Sequence, residues 1–200
     1  MTFLNGLAQF DGNLLIGIQH ALNADWFTMA MKTITVIGNY GWASILLCLI
    51  LMAYKKTRRL GIVCAASVLL TFICCTGIIK PIVDRARPWE ILDGVKMLIA
   101  DPGDSSFPSG HASNTMSVAF ALWLNTRDNR LLSDMDYAKL HRWSYLAIGI
   151  ALLVGLSRIY LGMHFPSDVI AAMIIAIICS MIIHKIYIKV AFEHVIISKY

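Results

Sequence analysis

The segment from Leu60 to Ile79 is twenty residues long and contains no charged side chain. A helix of this length covers about 30 Å, which is the thickness of the hydrocarbon core of a bilayer. Charged residues make up only 14% of the chain, against about 25% in soluble domains. Because a helix satisfies its backbone hydrogen bonds within itself, the sequence predicts an integral membrane protein of the all-α class.

The remaining apolar segments predict a bundle of about six helices. In residues 1–24, apolar side chains recur at helical spacing with polar ones between them, which predicts an amphipathic helix that lies at the membrane interface or packs on the bundle. Residues 25–190 are predicted to form the membrane-embedded domain, with a bend near Gly38 to Gly41, and residues 191–200 a C-terminal tail. The later crossings are predicted from Leu60 to about Ile79, Pro108 to Leu124, Trp143 to Leu156 and Pro166 to about Lys189.

The net charge of +5 comes from basic residues that gather where apolar runs end. Under the positive-inside rule such clusters mark one side of the membrane, and this interpretation is favoured over a nucleic-acid surface. The loops on this side contain Lys55, Lys56, Arg58 and Arg59, then Arg127, Arg130, Lys139 and Arg142, and finally Lys185 and Lys189.

Three polar motifs interrupt the apolar runs on the opposite side, and every proline of the chain lies in or beside them. The order of the crossings places all three at the same membrane face, where irregular backbone is tolerated if it lines a protected cavity. The motifs read Lys80 to Arg87-Pro88, then Pro108-Ser109-Gly110-His111, then Ser157-Arg158 to His164 to Asp168.

Lys80, Arg87 and Arg158 each lie at the end of an apolar run or just beyond it. For any one of them alone, a side chain that snorkels to the lipid headgroups is the simpler explanation. Three cations at one face, together with two histidines and a carboxylate, favour a clamp for a phosphoryl group instead. Catalysis of phosphoryl transfer is largely positioning and stabilisation of negative charge.

His164 and Asp168 are four residues apart, so the carboxylate is expected to reach the imidazole and fix its tautomer. The other ring nitrogen would then attack phosphorus, while His111 would protonate the leaving oxygen. Ser109 and Gly110 at a helix start would form a seat for an anion. Taken singly, these features have simpler explanations. Ser109 would be a capping residue, and Asp168 with His164 would be a helix cap beside a surface histidine.

Other polar residues near the motifs receive structural interpretations. Asp84 and Arg85 could pair with each other. For Asp101 and Asp104 a role as turn residues is favoured over contact with a substrate. The five cysteines lie in apolar runs without the spacing of a metal site, and no cluster of carboxylates suits a metal ion. The sequence therefore predicts neither a metal nor another cofactor.

At these three motifs the chain resembles the type 2 phosphatidic acid phosphatase superfamily, whose signature is K-x₆-R-P, P-S-G-H and S-R-x₅-H-x₃-D. Every signature position is matched, and in the same order. The resemblance implies a six-helix membrane enzyme in which His164 forms a phosphohistidine, His111 is the acid and Asp168 assists His164. The phosphate would be bound by Lys80, Arg87, Ser109, Gly110 and Arg158.

The resemblance also implies the substrates, which in this family are lipid phosphates such as phosphatidate, phosphatidylglycerol phosphate and isoprenoid diphosphates. Some bacterial undecaprenyl-diphosphate phosphatases have Asp where this chain has Gly110, so the lipid stays open. A bacterial cytoplasmic membrane is expected, with the site on the periplasmic or outer side. Two alternatives remain: a non-catalytic lipid carrier on the same fold, and a vanadate-dependent haloperoxidase, which the membrane spans disfavour.

Overall fold

The computed structural model describes residues 2–127 and 137–197, and every regular element in these two ranges is helical. The α-helices of the described chain are α1 Thr2–Ala21, α2 Asp25–Val36, α3 Trp42–Ala53, α4 Arg58–Phe72, α5 Lys80–Val83, α6 Pro88–Ile91, α7 Gly110–Arg127, α8 Tyr137–Tyr160 and α9 Pro166–Ile197.

Apart from the short helix α6, these elements form six helical units, as the sequence predicts. Helices α2 and α3 follow one another across a single turn of 3₁₀ helix at Asn39–Gly41. Helix α4 continues through the π-helical segment Ile73–Ile79 into α5, and α1, α7, α8 and α9 are the other four units. The predicted all-α class and the bend between Gly38 and Gly41 are confirmed, and Tyr40 and Gly41 in that bend have positive φ angles of 50° and 68°.

Four helical stretches of the described chain are long and apolar enough to cross a membrane, so the protein is an integral membrane protein. Hydrophobic side chains on their outer surfaces are exposed, as expected where lipid replaces water. The four stretches are Asp25–Ala53, Arg58–Ile91, Lys139–Tyr160 and Pro166–Val190.

Helix α7 lies in the interior of the bundle, where it packs on α4, α8 and α9. It is polar for a buried helix, and its hydroxyl groups are satisfied within the bundle. The hydroxyl of Thr115 donates to the carbonyl oxygen of His111 at 2.8 Å, and the hydroxyl of Thr71 on α4 donates to that of Ser117 at 3.0 Å. The first bond lies within α7 and the second joins α7 to α4.

Several helix ends differ from the predicted ones. Helix α7 begins at Gly110 and leaves Pro108 outside, because the carbonyl oxygen of Ser109 accepts the first helical hydrogen bond, from Ser113 at 3.0 Å. Helix α8 begins at Tyr137 rather than Trp143. Helix α9 continues to Ile197, beyond Lys189, since no glycine or proline interrupts it. Residues 128–136 of the predicted basic loop and 198–200 of the predicted tail lie outside the described residues.

The packing of α3 against α4 depends on Gly61. A β-carbon at this position would lie 2.7 Å from the backbone nitrogen of Met52 and 3.0 Å from the carbonyl oxygen of Cys48. Neither backbone atom can move without shifting its helix, so only glycine permits this approach.

We therefore expect Gly61→Ala to lower the free energy of unfolding by about 1–3 kcal/mol, the usual cost of overpacking. Gly149→Ala is the matched control, because no heavy atom lies within 4 Å of a β-carbon placed there. It should be neutral or stabilising, since alanine is the better helix former by about 1 kcal/mol. Melting temperatures in detergent compare the two variants, and equal melting temperatures would contradict the packing argument.

Candidate active site

The three polar motifs meet at one end of the bundle and are hydrogen-bonded to each other. The guanidinium of Arg87 donates to the carbonyl oxygen of Met163 at 2.7 Å, which joins the first motif to the third. The backbone N–H of Ser109 donates to the carbonyl oxygen of Asp168 at 3.3 Å, which joins the second motif to the third. Segments that are distant in the sequence thus form a single site.

Lys80 and Arg87 are buried and bind the same carboxylate. The ammonium of Lys80 donates to Asp104 Oδ2 and to the carbonyl oxygen of Ser105, both at 2.7 Å. The guanidinium of Arg87 donates to Asp104 Oδ1 and also to the carbonyl oxygen of Asp104, the latter at 2.7 Å. Asp104 is therefore the counter-ion of two cations rather than a simple turn residue, which corrects the interpretation from the sequence.

The charge state of Asp104 follows from these contacts. Partial burial acts to raise the pKa of its carboxyl group, but the hydrogen bonds and positive charges of Lys80 and Arg87 outweigh burial and lower the pKa below its ordinary value. The carboxylate is thus ionised at neutral pH.

Arg158, near the end of α8, is the third buried cation and has fewer partners. One terminal nitrogen donates to the hydroxyl of Thr35 on α2 at 3.0 Å. Its Nε atom is buried and, among the described residues, has no hydrogen-bond partner. A buried donor without a partner costs free energy, so this geometry suits a guanidinium that completes its bonds on a bound anion.

His164 lies in the turn between α8 and α9 and is buried. Its Nδ1 atom is 2.7 Å from the carbonyl oxygen of Ser106. A carbonyl oxygen can only accept a hydrogen bond, so Nδ1 bears the hydrogen and Nε2 keeps its lone pair. Burial, followed by the charges of Arg158, Arg87 and Lys80, lowers the pKa of His164 well below its ordinary value. The imidazole is therefore neutral near pH 7.

The partner that fixes this tautomer is not the one that the sequence suggests. Asp168 Oδ2 lies 3.9 Å from Nδ1 of His164, which is beyond hydrogen-bond distance. The carboxylate instead accepts the hydroxyl of Ser106 at 2.5 Å and the backbone N–H of Phe165 at 2.9 Å. Asp168 is thus connected to His164 through Ser106, whose backbone carbonyl oxygen contacts the ring.

Arg85 neutralises Asp168 and connects it to the N-terminal helix. Its guanidinium donates to Asp168 Oδ1 at 2.5 Å and to Asp11 Oδ2 on α1 at 2.9 Å. Asp11 is buried and also accepts the backbone N–H of Ser167 at 2.9 Å. Arg85 therefore pairs with two distant carboxylates, and not with its neighbour Asp84 as the sequence suggests.

His111, in the first turn of α7, contacts the bend between α2 and α3. Its Nε2 atom lies 2.8 Å from the side-chain oxygen of Asn39. A β-carbon at Gly38 would lie 2.7 Å from the ring, so the bend fits closely against the imidazole. The positive charges of Arg158 and Arg87 lie close enough to the imidazole of His111 to interact with it. Both histidines therefore lie beside the same cations.

Ser109 and Gly110 are at the N-terminus of α7, where the helix dipole favours an anion. Ser109 is fully buried. A β-carbon at Gly110 would have no heavy atom within 4 Å, so there is open space beside this backbone. In the part of the chain that the structure describes, no group of three or more His, Cys, Asp or Glu side chains is arranged to hold a metal ion.

The structure adds site residues that the sequence analysis did not assign. Their contacts join segments far apart in the chain, so local patterns give little indication of them. Arg85 is the exception, because a third cation inside the first motif is itself a signal. The added residues are Asp11, Thr35, Asn39, Arg85, Asp104 and Ser106.

Known proteins share this arrangement of sequence and fold. An undecaprenyl-diphosphatase of Sulfolobus acidocaldarius is 31% identical over 124 residues, 61% of this chain and 52% of that protein, so this chain spans about half of its length. A lipid A 4'-phosphatase of Porphyromonas gingivalis is 27% identical over 86% of this chain and 70% of its own length.

The fold matches the crystal structure of a transmembrane PAP2-type phosphatidylglycerolphosphate phosphatase from Bacillus subtilis. The TM-score is 0.73 at 23% identity, and the match covers 92% of this chain and 88% of that one. The family model of the PAP2 superfamily matches residues 61–191, which contain all three motifs and more than half of the chain. The protein therefore belongs to the PAP2 superfamily.

Proposed function

We propose that this protein is a membrane phosphatase that hydrolyses a lipid phosphate or an isoprenoid diphosphate through a phosphohistidine at His164. The observation that carries the proposal is the state of His164: neutral, with its hydrogen held on Nδ1 by Ser106, among three buried cations. The relatives named for undecaprenyl diphosphate, lipid A and phosphatidylglycerol phosphate support this substrate class.

In the proposed first step, Lys80, Arg87 and Arg158 bind the phosphate oxygens together with the N-terminus of α7 at Ser109 and Gly110. The lone pair on Nε2 of His164 attacks phosphorus, and the bond from phosphorus to the lipid oxygen breaks. His111 takes up a proton when the negatively charged phosphate binds beside it, and it then gives that proton to the leaving oxygen, because an alkoxide leaves poorly. The cations supply the positive charge that the transferring group needs, so the proposed reaction uses no metal.

In the second step, water attacks the phosphohistidine and the P–N bond breaks. His111, which has lost its proton, accepts one from the attacking water. Inorganic phosphate leaves, and both histidines return to their starting states. The Ser106 carbonyl group stabilises the imidazole in both steps by accepting the Nδ1 hydrogen, and Asp168 positions Ser106.

We also propose that the site faces the side of the membrane opposite to the basic loops, the periplasmic or outer side of a bacterial cytoplasmic membrane. Lys55, Lys56 and Arg58 lie where α3 ends and α4 begins, whereas Lys80 lies at the far end of the same helical unit. Under the positive-inside rule the basic end is cytoplasmic.

A non-catalytic lipid carrier on the same fold is the alternative. It would need the clamp for binding, but neither a nucleophile with a free lone pair nor an acid. Replacement of His164 distinguishes the two functions, because a non-catalytic carrier releases no phosphate whether or not His164 is present.

His164→Ala should abolish phosphate release, with a loss on the order of 10³-fold or more, since no other residue supplies the attacking nitrogen. The assay measures phosphate release in detergent from undecaprenyl diphosphate, phosphatidate and phosphatidylglycerol phosphate, with a chelator present. The control is His20→Ala, which removes an exposed histidine and should keep wild-type rates. Full activity of His164→Ala would refute the proposed nucleophile, and loss of wild-type activity with chelator would refute the metal-free reaction.

Arg158→Lys should reduce turnover about 10²-fold, the usual effect of removing one donor to a developing negative charge. Lysine keeps the positive charge but lacks the planar fork and the Nε–H that has no partner in the described structure. Arg142→Lys, an exposed position at the basic end of α8, serves as the control. Wild-type turnover in Arg158→Lys would show that Arg158 does not contact the phosphate.

The lowered pKa of His164 predicts how the empty enzyme titrates. A cationic imidazole is disfavoured by burial and by the three nearby cations, so His164 should stay neutral below pH 6.5, about where a free histidine takes up its proton. NMR titration of the imidazole nitrogens, assigned with His164→Ala, measures this pKa. A midpoint at or above about 6.5 would contradict the charge state on which the attack depends.

A further inference from the structure

The cation clamp contains an anion of its own, the carboxylate of Asp104. Its two oxygens bind two different cations, Oδ2 with Lys80 at 2.7 Å and Oδ1 with the guanidinium of Arg87. The Asp104 side chain is 48% exposed, whereas those of Lys80 and Arg87 are 10% and 3% exposed. The carboxylate therefore lies on the open side of the two cations.

A phosphate oxygen would have to share the donors of these two cations with Asp104. Arg87 has five N–H groups, and three of them already donate to protein acceptors: one to the Asp104 carboxylate, one to the carbonyl oxygen of Asp104 and one to the carbonyl oxygen of Met163. Lys80 has two of its three hydrogens engaged, by Asp104 and by Ser105. Carboxylate and phosphate oxygens compete directly for such donors.

Arg158 is in a different situation. Its Nε atom is buried and, within residues 2–127 and 137–197, has no hydrogen-bond partner, Asp104 included. An incoming phosphoryl group thus meets one guanidinium with a free donor and two cations that share a carboxylate. Three cations and one carboxylate leave a net charge of +2 in the clamp.

That net charge matches a phosphate monoester, which carries about two negative charges near neutral pH. A diphosphate adds another phosphoryl group with further negative charge, and Asp104 repels it. The same repulsion weakens the binding of inorganic phosphate, the product of the proposed reaction. The carboxylate thus affects both the choice of substrate and the departure of product.

We propose that Asp104 is a specificity-determining residue that competes with phosphate oxygens for Lys80 and Arg87, and thereby favours monophosphate over diphosphate lipids and speeds phosphate release. This inference rests on the proposed phosphatase function. It assigns no chemical step to Asp104, which changes only the charge and the free donors that the substrate meets.

Asp104→Asn removes the charge and keeps the shape of the side chain. The matched control is Asp101→Asn in the same loop, where the exposed carboxylate only accepts the backbone N–H of Gly103 at 2.9 Å. Inhibition by inorganic phosphate and by pyrophosphate is measured at fixed salt, along with kcat/KM for farnesyl phosphate and farnesyl diphosphate.

For Asp104→Asn we expect the inhibition constant of phosphate to fall about tenfold, because a negative charge within contact distance of the anion is lost. The constant for pyrophosphate should fall further, and the ratio of kcat/KM for diphosphate over monophosphate should rise by a similar factor. Asp101→Asn should change none of these values.

Unchanged or weaker anion binding in Asp104→Asn would overturn the inference, since Asp104 would then only hold the two cations in place. Asp104→Ser is made in parallel in case the asparagine variant does not fold, and failure of both to fold would equally show a structural role. If the wild-type protein hydrolyses no lipid phosphate, the proposed function fails. Calorimetric titration of wild type and variant with phosphate and pyrophosphate still tests the competition at Asp104.

Discussion

The structure depends on keeping positive charge buried at one end of a membrane bundle. Lys80, Arg87 and Arg158 lie where a charge without a partner would be costly. The bundle stabilises Lys80 and Arg87 with one carboxylate and with carbonyl oxygens from the irregular segments before α7 and α9, whereas Arg158 donates to the hydroxyl of Thr35. The irregular backbone at this end suits this task, because carbonyl groups outside helices are not already engaged by intrahelical hydrogen bonds.

A second charge network supports the first. Arg85 lies between Asp168 and Asp11, so one guanidinium joins α9 and α1 to the segment after α5. Because Asp168 also binds the hydroxyl of Ser106, the N-terminal helix contributes to the position of the residue that contacts His164. The amphipathic helix is therefore connected to the site through three consecutive polar contacts, in addition to its apolar packing on α8 and α9.

The sequence was sufficient for what depends on local pattern. Apolar length predicted the helical class, and the three motifs predicted the residues that meet at one end. Contacts that form only when distant segments fold together were not predictable. The ring of His164, for example, contacts a backbone carbonyl group, which any residue could have supplied. Asp104 resembled an ordinary turn residue because its partners are 17 and 24 positions away. Helix ends were missed where hydrogen bonding decides the boundary, as at Ser109.

The contact between His164 and Ser106 bears on how such a site can evolve. A backbone carbonyl group is present whichever side chain occupies position 106, so a substitution there would keep the acceptor for the Nδ1 hydrogen. The hydroxyl of the same residue anchors the loop to Asp168. Position 106 can therefore change only as far as another contact keeps the loop, and with it the carbonyl group, in place against the ring of His164.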